Sequence, residues 1–173
     1  DLLDIMEKMQ QLSDTMDLDE LLNELNNFEE NINSFEEQLD RFIDMFEQAI
    51  AEQKIDEMIK KLESLLNKEK SILNELNKED ANLKNISSEQ RQVEEEYNSL
   101  QNVIQDAEQF SNKLSESTSQ MLNELINSEL NQETKQDIQN TRESLTKENK
   151  EISKQNAQQA KEDLSDMMEK SKE

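Results

Sequence analysis

From Leu18 to Ala49, apolar side chains return at alternating spacings of three and four residues. Leu18, Leu25, Ile32, Leu39 and Phe46 take the first position of a heptad, and Leu21, Phe28, Phe35, Phe42 and Ala49 the fourth. That repeat marks a helix whose single stripe lies along another helix. Leu22, Ile43, Met45 and Ile50 widen the stripe, and phenylalanines at Phe28, Phe35 and Phe42 ask for a broad facing surface. The pattern therefore predicts a bundle with more than one neighbour in preference to a bare two-stranded coil.

The phase jumps by two residues between Ala49 and Ile55, and a second register follows. Its first positions hold Ile55, Leu62, Leu76, Leu83, Tyr97, Ile104 and Leu125. Its fourth positions hold Met58, Leu65, Ile72, Ile86, Val93, Leu100, Ala107, Leu114 and Met121. Polar residues interrupt this seam at Glu69, Glu79, Gln90, Ser111, Thr118 and Ser128. The run Asn77-Lys78-Glu79-Asp80, the Ser87-Ser88 pair and a capping box formed by Ser87 and Gln90 predict a bend or helical hairpin at 77–88. One uninterrupted rod is the competing reading, because the phase survives the region.

Asn127-Ser128-Glu129-Leu130-Asn131-Gln132 forms a second weak point. Beyond it Ile138, Leu145 and Ile152 recur every seven residues with polar partners, so residues 133–155 need a larger surface to lie on; Ala157, Ala160, Leu164 and Met167 then resume a stripe. Upstream, Leu2, Ile5, Met6, Met9 and Leu12 outline a short amphipathic helix that ends in the capping residues of 13–17. The chain thus reads as all-α, an elongated antiparallel helical bundle or coiled coil. About three long helices, near 17–77, 88–127 and 133–171, follow a short one at 2–12. The two later helices are expected to cover much of the first, which at about 1.5 Å per residue would reach roughly 90 Å.

Composition sharpens this picture. The 173 residues include no Gly, Pro, Cys, His or Trp. Hairpins and tight turns lose their usual residues, and helix is the regular structure such a chain sustains. Acidic residues number 42 against 19 basic ones, for a net charge of −23, and residues 1–50 alone hold 15 acids and two bases. Such a surface repels phosphate backbones and anionic headgroups, so nucleic acid is not an expected partner. No apolar run approaches the roughly 18 residues of a membrane span. The most amphipathic stretch is also the most acidic, the opposite of a membrane-surface helix. Low hydrophobicity with high charge is also a signature of disorder, but the regular spacing over 18–125 argues for helix there.

Most chemistry lacks its residues. Without His and Cys there is no imidazole base, thiol nucleophile, tetrahedral zinc site or Glu-x-x-His di-iron motif. Without Gly there is no phosphate-binding loop or dinucleotide fingerprint. Carboxylates alone can cleave glycosides, but a slender bundle offers no concave pocket for them. The acidic groups around Asp17-Leu18-Asp19-Glu20, Glu29-Glu30, Glu36-Glu37 and Glu94-Glu95-Glu96 point in different directions on a helix and read as a solvated surface, not a calcium site. Met45, Met58 and Met121 sit on or beside the seam as filler instead of forming an adaptable groove. Expected, then, is a protein that is not an enzyme, with no cofactor, metal or small-molecule substrate. Its candidate functional residues are the seam itself, from Leu18 to Leu125, and its expected partner is itself or another helical protein.

Residues 36–76, EEQLDRFIDMFEQAIAEQKIDEMIKKLESLLNKEKSILNEL, carry a resemblance, chiefly in LDRFIDMFEQA and EQKIDEMIKKLE. They resemble a bacterial family of membrane-anchored helical proteins catalogued as domain of unknown function 4175. DLDELLNELNNFEENINSF before them and NAQQAKEDLSDMMEKSKE at the end look similar to the family's later helical repeats. The likeness implies an interior piece of a larger protein, tethered to the bacterial cell envelope through predicted N-terminal spans outside this segment; a cytoplasmic setting is the alternative. The family has no established activity to carry over. The function expected is a structural or interaction scaffold of an envelope assembly, working through helix–helix packing. The alternative is an acidic regulator that sequesters a basic partner or mimics nucleic acid.

Overall fold

A computed structural model of the chain describes residues 18–111 and 115–171, with side chains from Leu22 onward except that of Glu24. The short helix expected at 2–12 lies outside the described residues. Among those described, all regular structure is helical, in five segments: α1 (Leu18–Leu76), α2 (Leu83–Ser111), α3 (Glu116–Asn127), α4 (Glu129–Thr146) and α5 (Lys150–Lys170). The chain divides into two compact units, Asp1–Phe46 and Glu47–Glu173.

The second unit is an antiparallel bundle. Lys54 pairs with Asp106 at 3.4 Å, the Lys61 ammonium donates to Ser99 Oγ at 3.2 Å, and Lys68 pairs with Glu96. Numbers rise on α1 as they fall on α2, so the chain folds back between them and the single rod is excluded. The reversal occupies 77–82, closed by Asn77 N–H to the Leu73 carbonyl at 3.0 Å and Lys78 N–H to the Glu75 carbonyl at 3.1 Å. Asn82 caps α2 by accepting from Asn85 N–H at 3.2 Å. The capping box at Ser87 and Gln90 is therefore corrected. Asn, as good a cap as Ser, opens the helix five residues earlier and leaves Ser87 inside it.

The two later helices are also re-divided. In place of helices at 88–127 and 133–171, the chain reverses between α2 and α3, bends at Ser128, and reverses again at 147–149. Ser115 starts α3 by accepting from Thr118 N–H at 3.0 Å. Ser128 is extended (φ −68°, ψ 149°) and serves two helices at once, donating to the Leu125 carbonyl and accepting from Asn131 N–H. The expected break at 127–132 is thus one residue wide, and α3 with α4 makes one arm along α2. That arm runs antiparallel to α2, joined by Gln101 to Asn131, and by Glu94 to Gln139 and Arg142. Helix α5 returns along α4, with Ser153 Oγ 2.9 Å from Ser144 Oγ, and its first residue Lys150 reaches the Lys78 carbonyl at the α1–α2 turn.

The last reversal is made without glycine. Glu148 takes a left-handed conformation (φ 55°), while Glu148 N–H bonds the Leu145 carbonyl and Asn149 N–H the Ser144 carbonyl, at 3.0 and 2.9 Å. This is the Schellman arrangement, in which Gly is the favoured residue because a Cβ crowds the following carbonyl. Glu148→Gly is expected to stabilise the fold by about 0.5–1 kcal/mol, read as a raised thermal midpoint; an unchanged or lowered midpoint would refute the strain at this residue.

One apolar core runs through this unit. Met58, Leu62, Leu65, Ile72 and Leu76 of α1 face Ile86, Val93, Tyr97, Leu100, Ile104 and Ala107 of α2, and Leu122, Leu125, Ile138, Leu145, Ala157, Ala160, Leu164 and Met167 close it. The apolar-poor stretch around α4 is accommodated by small side chains. Thr134, Thr141, Ser144 and Ser153 are buried, and each hydroxyl donates to the carbonyl four residues back, between 2.6 and 2.8 Å. With their hydroxyls satisfied on their own helices, their methyl and methylene groups pack as apolar surface.

Candidate functional site

The predicted seam divides into two populations. Leu62, Leu65, Ile72, Leu76, Val93, Tyr97, Leu100, Ile104 and Leu125 are buried, and Met121 is half-buried against them. Leu25, Phe35, Leu39, Phe42 and Phe46 are exposed, and Phe28 and Ile32 are half-buried. The side chains of Leu18, Leu21 and Leu114 lie outside the described residues. The expectation that later helices cover the first stripe is thus corrected for its exposed positions. Phe35, Phe42 and Phe46 keep 59%, 60% and 70% of their surface in solvent. The physical reason is in the lengths: α2, α3–α4 and α5 are matched to the 47–76 part of α1, where they close a core on one another.

Leu22, Ile43 and Met45, which widen the stripe, are exposed as well. Scattered apolar residues on a surface need no explanation, but here eight large ones stand exposed on a single helix, between Leu22 and Phe46. Acids border it. Glu29 and Glu36 are exposed one position beyond the seam, and Arg41 is engaged by Glu37 at 3.5 Å.

A second feature lies inside the bundle. Glu69 and Gln90, read in the sequence as interruptions beside a turn, are both fully buried and face one another across the α1–α2 hairpin. Gln90 Nε2 donates to Glu69 Oε1 at 2.7 Å. Glu69 Oε2 and Gln90 Oε1 are left as buried acceptors without a donor. Burial pushes the Glu69 carboxyl up to about 7 from its ordinary 4.5, and the Gln90 amide eases it only in part. Their near-equal distance from the turn was the available signal: a hairpin closing at 77–82 brings 69 and 90 level.

A polar knot joins α2 and α4 nearby. The Tyr97 hydroxyl donates toward Asn131, at 2.6 Å to Oδ1 and 2.9 Å to the backbone carbonyl, and Asn131 exchanges hydrogen bonds with Gln101. Burial raises the Tyr97 phenol above its ordinary range, with Asp163 adding to the effect. Burial also raises Asp163 and Asp137, each helped by neighbouring acids. Tyr97 is the one Tyr of a chain without Trp, so the tyrosinate absorbance band reports on this knot alone. Alkaline titration is expected to ionise it later than free tyrosine; ionisation at the free-tyrosine pH would contradict its burial.

Two open surface grooves have mixed linings, one of about 690 Å³ lined by Leu73, Glu151, Lys70, Lys154, Lys161 and carboxamides, another of about 750 Å³ beside α3. Among the described residues no three acidic side chains converge as a metal site, and no helix is long and apolar enough to cross a membrane. Comparison with known proteins found no matching family model, no curated protein and no solved structure.

Proposed function

We propose that this chain is a non-catalytic helical scaffold that works by helix–helix packing, with the Leu22–Phe46 stripe as its docking surface. The exposure of that stripe carries the reading: eight large apolar side chains at heptad-related positions stay in solvent, while residues 47–173 bury a core of their own. Every exposed Phe is a desolvation gain held in reserve for a facing helix, and aromatic anchors of this kind dominate interface energetics. The envelope setting rests on the resemblance of residues 17–76 and 156–173 alone. The second reading, an acidic regulator of a basic partner, is favoured by the 15 acids in the first 50 residues.

The test is direct binding of a helical peptide with Leu and Ile at its seam positions and neutral Gln at its flanks. Binding by the intact chain, lost in the triple variant Phe35→Ser, Phe42→Ser, Phe46→Ser, is the expected result. Absence of binding by the intact chain sinks the docking reading.

A further inference from the structure

From the charge along the stripe we infer that its occupant is an amphipathic helix flanked by Lys or Arg, and not a second copy of this chain. The inference deepens the docking reading and rests on it. In the register of the stripe, the positions bordering the seam hold Leu22, Glu29, Glu36 and Ile43 on one side and Glu24, Asn31, Gln38 and Met45 on the other. No Lys or Arg is among them. In a coiled interface these flanking residues reach across to the partner's flanks and decide which partner is accepted.

A second copy meets like charge in either orientation. Two parallel copies place Glu24 of one beside Glu29 of the next. An antiparallel pair turns the Glu29–Glu36 edge against itself. Neither arrangement finds a compensating cation: the single base of the stripe, Arg41, lies away from the seam and already pairs with Glu37 on its own helix. The repulsion extends past the seam, because the first 50 residues carry 15 acids against two bases. A partner helix with basic flanks instead pairs with Glu29 and Glu36, both exposed, as it buries Phe35, Leu39 and Phe42. The long-range field adds a faster encounter, steering a cationic helix toward the acidic unit.

The experiment uses the full chain and three synthetic helical peptides that share one Leu/Ile seam and differ only in having Lys, Gln or Glu at the flanks. At low salt the Lys-flanked peptide is expected to bind about tenfold or more tighter than the Glu-flanked one, with the gap shrinking as salt is raised. The triple Phe→Ser variant is expected to lose all three peptides. Equal binding of the three peptides overturns the charge inference while leaving the docking surface in place. No binding by any of them overturns both. Light scattering of the chain alone supplies the remaining arm: a monomer supports the inference, and a stripe-dependent dimer, abolished by the same Phe→Ser changes, overturns it. Lys-flanked binding that survives in the Phe→Ser variant also overturns it, because the attraction would then be charge without the seam.

Discussion

Replacing Glu69 by Gln is expected to stabilise the fold by about 2–3 kcal/mol at a pH of about 8 and to leave it nearly unchanged at a pH of about 4. The native carboxyl is held up to about 7 by burial, against an ordinary value of 4.5. Between those two values the unfolded chain releases a proton that the folded chain keeps. Stability therefore falls as pH rises through that window, and the loss is complete once the native carboxyl has ionised. At 1.36 kcal/mol per unit the whole effect is of order 3 kcal/mol.

Geometry supports the sign independently. Ionised, the pair leaves Glu69 Oε2 and Gln90 Oε1 as two buried acceptors with no donor. A proton on Oε2 supplies the missing donor, and acid and amide can then close a two-bond ring. Glutamine at position 69 carries its own N–H donors and needs no proton. Many other acids titrate in this chain, and Asp137 and Asp163 are raised in the same direction. The informative quantity is accordingly the difference between Glu69→Gln and the parent in urea midpoint across pH. Parallel curves would show that Glu69 ionises as an ordinary surface carboxylate.

The second large effect is a contrast between two kinds of seam residue. Leu100→Ala removes a fully buried side chain from the centre of α2 and is expected to cost about 2–5 kcal/mol. Phe42→Ala removes a larger side chain at an equivalent heptad position, yet with 60% of its surface exposed it is expected to cost less than about 0.5 kcal/mol. Chemical denaturation of the two variants beside the parent decides it. A Phe42→Ala loss comparable to that of Leu100→Ala would mean the stripe is already covered.

These two residues also show how far periodicity carries. The heptads predicted helices and found Leu62, Leu65, Ile72, Val93, Tyr97, Leu100 and Ile104, all of which are buried. They could not separate a covered stripe from an open one, because the same three-and-four spacing serves a neighbour in this chain or in another molecule. The most regular stretch, Leu18–Ala49, holds the exposed residues. Turns were legible only where several polar residues cluster, as at 77–82. The reversals at Ser115 and at Glu148-Asn149 depend on single caps and a left-handed Glu, in a chain with no Gly or Pro to mark them.

Polar seam residues misled in the opposite direction. Glu69 and Gln90 looked like gaps in the stripe, and each turns out to be the other's partner. Thr134, Thr141, Ser144 and Ser153 left residues 133–155 looking too poor in apolar side chains to stand without a larger surface. Hydroxyls that bond back to their own helix remove the cost of burying them, which no residue-by-residue hydrophobicity reveals.

The division between closed core and open stripe can be measured residue by residue, because the chain has no cysteine of its own. Single substitutions Phe35→Cys, Phe42→Cys, Leu65→Cys and Leu100→Cys, each exposed to a thiol reagent under native conditions, report access at four sites. Positions 35 and 42 are expected to react at the rate of a free thiol, and 65 and 100 only as fast as the bundle opens. Protection at 35 and 42 in the isolated chain, or rapid reaction at 65 and 100, would contradict the account.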